Sequence, residues 1–192
     1  MKIGVLALQG DFKEHIVMLS KLGVETAEIR LPAQLDDLDG LIIPGGESTT
    51  MGKLMVDFDL LEPLREFGLA HAIWGTCAGA ILLSKDARRD QPLLGLMDIT
   101  VERNAFGRQV NSFKAALDIS TLKQTTGTDD PFDAVFIRAP IIESVNGNTE
   151  ILVSLPDGKI VAAQQGQLLA TSFHPELTGD PRFHEYFLSL VK

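Results

Sequence analysis

The sequence predicts an α/β fold: three layers, with a mostly parallel central sheet flanked by helices and an antiparallel extension in the C-terminal half. Three observations carry this. The N-terminal part alternates apolar strand-like runs with helical patterns, β-α-β-α-β. The runs Lys2–Leu8 and Gly40–Pro44 are near-continuously apolar, as in strands buried on both faces of a parallel sheet. Beyond Asp86 short strand-like segments are separated by turns instead, and Pro156-Asp157-Gly158-Lys159 between two apolar runs reads as a hairpin.

In order, Lys2–Leu8 is the first strand. Phe12, Ile16, Leu19 and Leu22 give one face of a helix that Gly23 caps. Val24–Leu31 is the second strand, Pro32–Asp39 a short helical connection, and Gly40–Pro44 the third strand. The loop Gly45-Gly46-Glu47-Ser48-Thr49-Thr50 leads into a helix over Met51–Phe67, and Leu69–Trp74 is a fourth strand followed by a helix over Ala78–Asp86. Strands are then expected at Asp98–Arg103, Ser112–Asp118, Phe132–Arg138, Glu150–Leu155 and Ile160–Ala163, with Thr121–Pro131 as a polar surface loop. Leu168–Phe173 is the final strand, and Phe183, Tyr186, Phe187 and Leu190 mark a closing helix.

The chain of 192 residues fits one domain spanning 1–192, and its single cysteine allows no internal disulfide and no cysteine-based zinc cluster. Gln9-Gly10-Asp11 interrupts the N-terminal apolar run before a signal segment could form, and no run approaches the length of a membrane span. These features predict a soluble, cytoplasmic protein without a membrane partner. A net charge of −9 disfavours binding to nucleic-acid backbones.

The chemistry centres on Gly75-Thr76-Cys77-Ala78-Gly79. Gly-x-Cys-x-Gly between an apolar run and a helical pattern is the thiol form of a nucleophile elbow, a sharp strand-to-helix turn whose small neighbours leave the nucleophile exposed. The start of the following helix favours a thiolate. Gly45-Gly46, at another strand end, permits backbone N–H groups to face an anion or a developing oxyanion; it equally suits a plain turn in which Ser48 or Thr49 caps a helix. The base is sought among four histidines. His15, His71 and His184 fall in or beside helical patterns and read as surface or packing residues. His174 ends a strand, and Glu176, two residues on, reaches the imidazole if the chain stays extended through Pro175. A zinc deaminase site is not expected, since Pro-Cys-x-x-Cys is absent.

With Gly-Gly-Glu-Ser, Gly-Thr-Cys-Ala-Gly and His-Pro-Glu in this order at strand ends, the chain resembles the class I, triad-type glutamine amidotransferases. Leu8-Gln9-Gly10-Asp11 with Glu14-His15, Pro44–Met51, Glu102-Arg103-Asn104 with Phe106-Gly107-Arg108-Gln109, Phe136–Pro140 and Ser172–Leu177 are similar to the glutaminase subunits of pyridoxal phosphate synthases, nearly end to end. That resemblance implies a flavodoxin-like architecture and hydrolysis of L-glutamine to glutamate and ammonia through a Cys77 thioester. His174 would act as base and then acid, oriented by Glu176, with backbone N–H groups of Gly46 and Ala78 as oxyanion hole. Gly45, Gly46, Glu47, Ser48, Arg103, Ile137 and Arg138 match the family's glutamine-binding positions. It implies no cofactor or metal, and a (β/α)8-barrel synthase partner in a large ring complex. The Gln9–His15 region is a candidate docking face because its motif has no part in the triad. Other readings are a glutaminase subunit of histidine or purine biosynthesis, a cysteine hydrolase of another class, and a redox-sensing module using Cys77.

Overall fold

The computed structural model describes residues 1–103 and 112–192. Asn104 and the Phe106-Gly107-Arg108-Gln109 motif lie outside the described residues. The elements run β1 (Lys2–Leu6), α1 (Phe12–Lys21), β2 (Glu25–Ile29), β3 (Gly40–Ile43), α2 (Ser48–Asp57), α3 (Leu61–Ala70), β4 (Ala72–Thr76) and α4 (Ala78–Leu83). There follow β5 (Ser84–Asp86), β6 (Met97–Glu102), β7 (Ser112–Leu117), α5 (Ser120–Thr126), β8 (Phe132–Ile137) and β9 (Ile141–Val145). Last come β10 (Glu150–Ser154), β11 (Ile160–Gln165), β12 (Leu168–Thr171) and α6 (Arg182–Leu190).

The main sheet has the order β2-β1-β3-β4-β12-β11-β9-β6-β5, with β10 pairing β11. Its first five strands are mutually parallel, in the order of a flavodoxin-like doubly wound sheet. From β12 onward the pairing turns antiparallel through β11, β9 and β6. β7 and β8 form a separate antiparallel pair. The expected architecture is therefore present, including the β10–β11 hairpin around Asp157-Gly158. Two cores flank the sheet. One gathers Leu41, Ile43, Met51, Met55, Leu64 and Ile81 on the side of α2, α3 and α4. The other places Trp74, Phe132, Phe136, Phe173, Phe183 and Phe187 on the opposite side, joined by edge-to-face, tilted and stacked ring contacts with centroids 4.8–6.2 Å apart.

Local expectations are corrected at four places. The helix expected over Met51–Phe67 is two helices, because Asp59 adopts φ +55° and Leu60 donates back to the Met55 carbonyl, turning a buried Leu60 into the core. Leu69 belongs to α3, at 81% exposure, so the fourth strand starts at Ala72. The helix after Cys77 stops at Leu83, and Ser84–Asp86 pairs with β6. Thr121–Pro131 is no simple loop: Ser120–Thr126 is helical, with Leu122 buried, its polar residues outward and Gly127 at φ +73° ending it. β9, which pairs on both sides, was not anticipated; its Ile141-Ile142-Glu143-Ser144-Val145 carries a single buried position.

Two packing features lead to measurable consequences. A Cβ on Gly79 would stand 2.0 Å from the Ile43 carbonyl oxygen, so α4 lies against β3 backbone to backbone. We expect Gly79→Ala to lower stability by about 1–3 kcal/mol in urea unfolding. Gly179→Ala, whose Cβ would meet nothing within 4 Å, should stay within about 0.5 kcal/mol; equal effects would count against this packing. His15 of α1 and His184 of α6 are fully buried, their rings 3.0 Å apart from Nδ1 to Nε2 and each edge-on to Trp74. Burial pushes His184 down to about 3 and His15 well below its ordinary value. Both rings stay neutral when folded but take protons when unfolded below about pH 6.5. Stability is thus present above that pH and falls with acidification, by about 1.4 kcal/mol per pH unit for each ring. Urea midpoints across pH 5 to 7 should show the slope, and His184→Gln should reduce it.

Candidate active site

Five chain segments meet beyond the carboxyl ends of β1, β3, β4, β8 and β12, the edge where doubly wound sheets bind ligands, and Arg103, just past β6, joins them. They enclose a cleft of about 420 Å³. Of the residues expected there, Gly46, Glu47, Ser48, Cys77, Ala78, Arg103, Ile137, Arg138 and His174 line it. Gly45 and Glu176 are buried just behind it.

Cys77 occupies the turn between β4 and α4 with φ +48° and ψ −103°, a conformation L residues avoid and one that stores about 1–3 kcal/mol. It persists because its surroundings leave little choice. The Cys77 N–H donates to the Thr171 carbonyl at 2.8 Å, and Gly75 and Gly79 approach so closely that a Cβ on Gly75 would lie 2.4 Å from Gly79 carbonyl atoms. The thiol is 7% exposed, at the cleft floor.

His174 follows β12, and its N–H donates to the Val135 carbonyl of β8. Its side chain lies beside Cys77 at the cleft floor, and Nδ1 donates to Glu176 Oε1 at 2.7 Å. The chain does not stay extended to achieve this, as expected from sequence; Pro175–Leu177 forms a 3-10 turn that folds the Glu176 carboxylate back onto the ring. Burial alone would push His174 down, but hydrogen bonds with Cys77 and Glu176, and their charges, hold it up at about 10. Burial raises Glu176, and the imidazole offsets part of that rise. The arrangement supplies a cysteine sulfur whose proton the adjacent imidazole can take, the resulting imidazolium able to protonate a leaving group, and a buried carboxylate that orients the ring.

The Gly45-Gly46 loop closes over this pair. A Cβ on Gly45 would fall 2.4 Å from His174 Cε1, so any side chain there would displace the base. The Gly45 carbonyl accepts from the Asp11 N–H, and the Glu47 N–H donates to Gln9 Oε1. Glu47 is the N-cap of α2: its carboxylate accepts from the N–H groups of Thr49 and Thr50, from the Thr50 hydroxyl and from Arg103 Nη2 at 2.9 Å. Despite some burial, these donors pull Glu47 down to about 2. Arg103 also donates to Thr49 Oγ1, and Ser48, Thr49 and Arg103 share Gln91 Oε1 as acceptor. Arg138, exposed at φ +43°, closes the far rim.

Sequence reasoning missed the first loop. Gln9, Gly10 and Asp11 line the cleft, and Asp11 lies 3.5 Å from His174 Nδ1. His15 stands 3.4 Å from Glu176. The Gln9–His15 motif therefore touches the candidate triad, which removes the reason for assigning it to docking. A strand-end loop followed by Glu-His at the first helical turn was the available signal. Ligand atoms of Asp11, His174 and Glu176 lie within 4.8 Å of one another, but an ion there would have to break the His174–Glu176 bond. His71 stacks on Phe67, rings 4.3 Å apart, and its Nδ1 meets the Phe67 carbonyl at 3.3 Å, outside the site.

Comparison with known proteins agrees with this geometry. The family model described as the SNO glutamine amidotransferase family matches residues 5–192. The chain is 60% identical, over 99% of its length and 100% of the relative's, to pyridoxal 5'-phosphate synthase subunit PdxT of Herpetosiphon aurantiacus. It is 56% identical to the protein of that name from Pelotomaculum thermopropionicum, over 98% of this chain and 94% of that one. Among solved structures, one described as a glutamine amidotransferase superimposes with a TM-score of 0.91 at 47% identity, covering 98% of both chains. The chain belongs to the SNO glutamine amidotransferase family.

Proposed function

We propose that this chain hydrolyses L-glutamine to glutamate and ammonia and delivers the ammonia to the synthase subunit of a pyridoxal phosphate synthase. The observation that carries the reading is Cys77 beside an imidazole that Glu176 holds, at the floor of a cleft rimmed by two arginines. Relatives of 51–60% identity named as subunits of that synthase favour it over the histidine and purine pathways.

His174 takes the Cys77 thiol proton, and the sulfur attacks the carboxamide carbon of glutamine. The tetrahedral oxyanion is received by backbone N–H groups of Gly46 and Ala78, each such donor being worth about 100- to 1000-fold in rate. The His174 imidazolium protonates the departing nitrogen, so ammonia leaves and a γ-glutamyl thioester remains. The now neutral His174 takes a proton from water, whose oxygen attacks the thioester; collapse returns the thiol and releases glutamate. Glu176 stabilises the imidazolium in both halves. Arg103, steadied by Glu47, together with Arg138, Ser48 and the Ile137 backbone, binds the α-carboxylate and α-amino end of glutamine.

Ammonia free in neutral water becomes ammonium and loses its nucleophilicity, so a biosynthetic glutaminase needs a shielded route to its synthase. We assign the partner as a (β/α)8-barrel synthase in a ring assembly, on the resemblance of the motifs. No helix among the described residues is long and apolar enough to cross a membrane, which is compatible with a cytoplasmic place for the complex.

Glutamate release from glutamine, assayed with and without the candidate synthase, tests the reading. Activity should rise when the synthase is added, and Cys77→Ala should lose it by about 1000-fold or more. Arg103→Ala should raise KM about tenfold or more with a smaller change in kcat. Full turnover by the Cys77 variant would remove the assignment, and stimulation only by a histidine-pathway cyclase would transfer the chain to another synthase.

A further inference from the structure

Glu176 is the most enclosed member of the triad, its side chain wholly shielded from solvent. One oxygen, Oε1, takes the His174 Nδ1–H. The other, Oε2, is buried without a hydrogen-bond partner within ordinary distance among the described residues. A carboxylate oxygen stranded in an apolar interior is costly, and a nearby donor is expected. His15 Nε2 lies 3.4 Å from Oε2. That is long for a hydrogen bond, as such contacts often are before substrate or partner closes a site.

The proton on His15 can be placed from its neighbours. If it sat on Nδ1, the Nε2 lone pair would face the Oε2 lone pairs. His184 Nε2 would then have to accept, leaving His184 Nδ1–H as a buried donor with no partner. If instead the proton sits on Nε2, Thr76 Oγ1 accepts it at 3.3 Å, and Glu176 Oε2, 3.4 Å away, is within reach as a second acceptor. His184 Nε2–H then donates to His15 Nδ1 at 3.0 Å, and only a lone pair on His184 Nδ1 stays unpaired, the cheaper kind of orphan. Both ends of the pair select the same tautomer. His15 remains uncharged despite its carboxylate neighbour, because burial and the nearby His184 and His174 rings outweigh it.

We propose that His15 is a positioning residue for the triad: its Nε2–H holds the free oxygen of Glu176, and His184, from the last helix, fixes the tautomer that makes this possible. The inference rests on the glutaminase reading for its catalytic consequence. It extends the line of contacts to Cys77, His174, Glu176, His15 and His184. It also gives α1 two links to the chemistry, the Gln9–Asp11 loop at its start and His15 one turn in. A groove on the outer side of α1, lined by Lys13, Val17, Leu177 and part of Glu176, leaves this second link one side chain below the surface.

The test uses the full chain with its synthase. His15→Leu removes the donor; kcat should fall about 10- to 100-fold, the range seen when outer hydrogen-bond partners of catalytic groups are lost, with KM within about twofold. His15→Gln places an amide N–H near the former Nε2 and should recover most of kcat. Wild-type kcat in the Leu variant, or a Gln variant as impaired as the Leu variant, would overturn the proposal. If the Leu variant fails to fold, nitrogen-15 NMR of the wild-type histidines decides: a neutral His15 protonated on Nε2 supports the proposal, and one protonated on Nδ1 overturns it. This arm needs no turnover. Wild-type protein inactive on glutamine would therefore defeat the functional reading while leaving the tautomer assignment separately decided.

Discussion

The backbone hydrogen bond from the Cys77 N–H to the Thr171 carbonyl ties the proposed nucleophile to the strand that carries its proposed base. β4 and β12 are parallel neighbours in register from Ile73 and Leu168 to Thr76 and Thr171. One residue beyond the pairing, the β4 chain must turn sharply into α4 while the β12 chain runs on to His174. Holding Cys77 at positive φ through that bond brings Sγ back toward the imidazole. The glycines on either side are consequences of the same constraint, since the turn forces α4 against β3 and leaves no room for a Cβ at Gly75 or Gly79. Strain at one residue is thereby over-determined by three strands.

From that fixed point the remaining parts of the site follow by proximity. β3, between β1 and β4, delivers the Gly45-Gly46 loop over His174. β1 delivers Gln9 and Asp11 to the same loop, so the N-terminal segment buttresses the candidate oxyanion site as well as the cleft wall. β8, outside the main sheet, binds the His174 backbone and sets Ile137 and Arg138 on the rim. The carboxylate and imidazole at the centre are buried, and their neighbours include the neutral His15 ring and the Asp11 carboxylate. In such surroundings a charge pair between thiolate and imidazolium is weakly screened, which suits a site where charge develops and moves within a few ångströms.

Much of this was legible from residue order. Apolar runs ending in Gly-Gly, Gly-Thr-Cys-Ala-Gly and His-Pro-Glu located three strand ends, and parallel sheets put such ends on one edge. What escaped was tertiary. Glu176 meets His174 through a 3-10 turn, where the bare spacing suggested an extended chain. His15 and His184 look alike in sequence, each a lone histidine in an amphipathic helix; only the packing of α1 and α6 on Trp74 makes them a pair, 169 residues apart. Leu122 and Ile119 were too few apolar signals to disclose α5 among threonines. Glu47 and Arg103 were identified as substrate contacts, yet both are also structural, one capping α2 and the other bonded to that cap.

The central claim is that Cys77 carries the reacting acyl group. It is tested most directly by quenching the chain in acid during turnover of glutamine and mapping covalent adducts by mass spectrometry. A γ-glutamyl thioester on the peptide containing Cys77, absent after Cys77→Ala, is the predicted result. Glutamate accumulation with an adduct on another residue, or equal turnover with the thiol removed, would contradict the account.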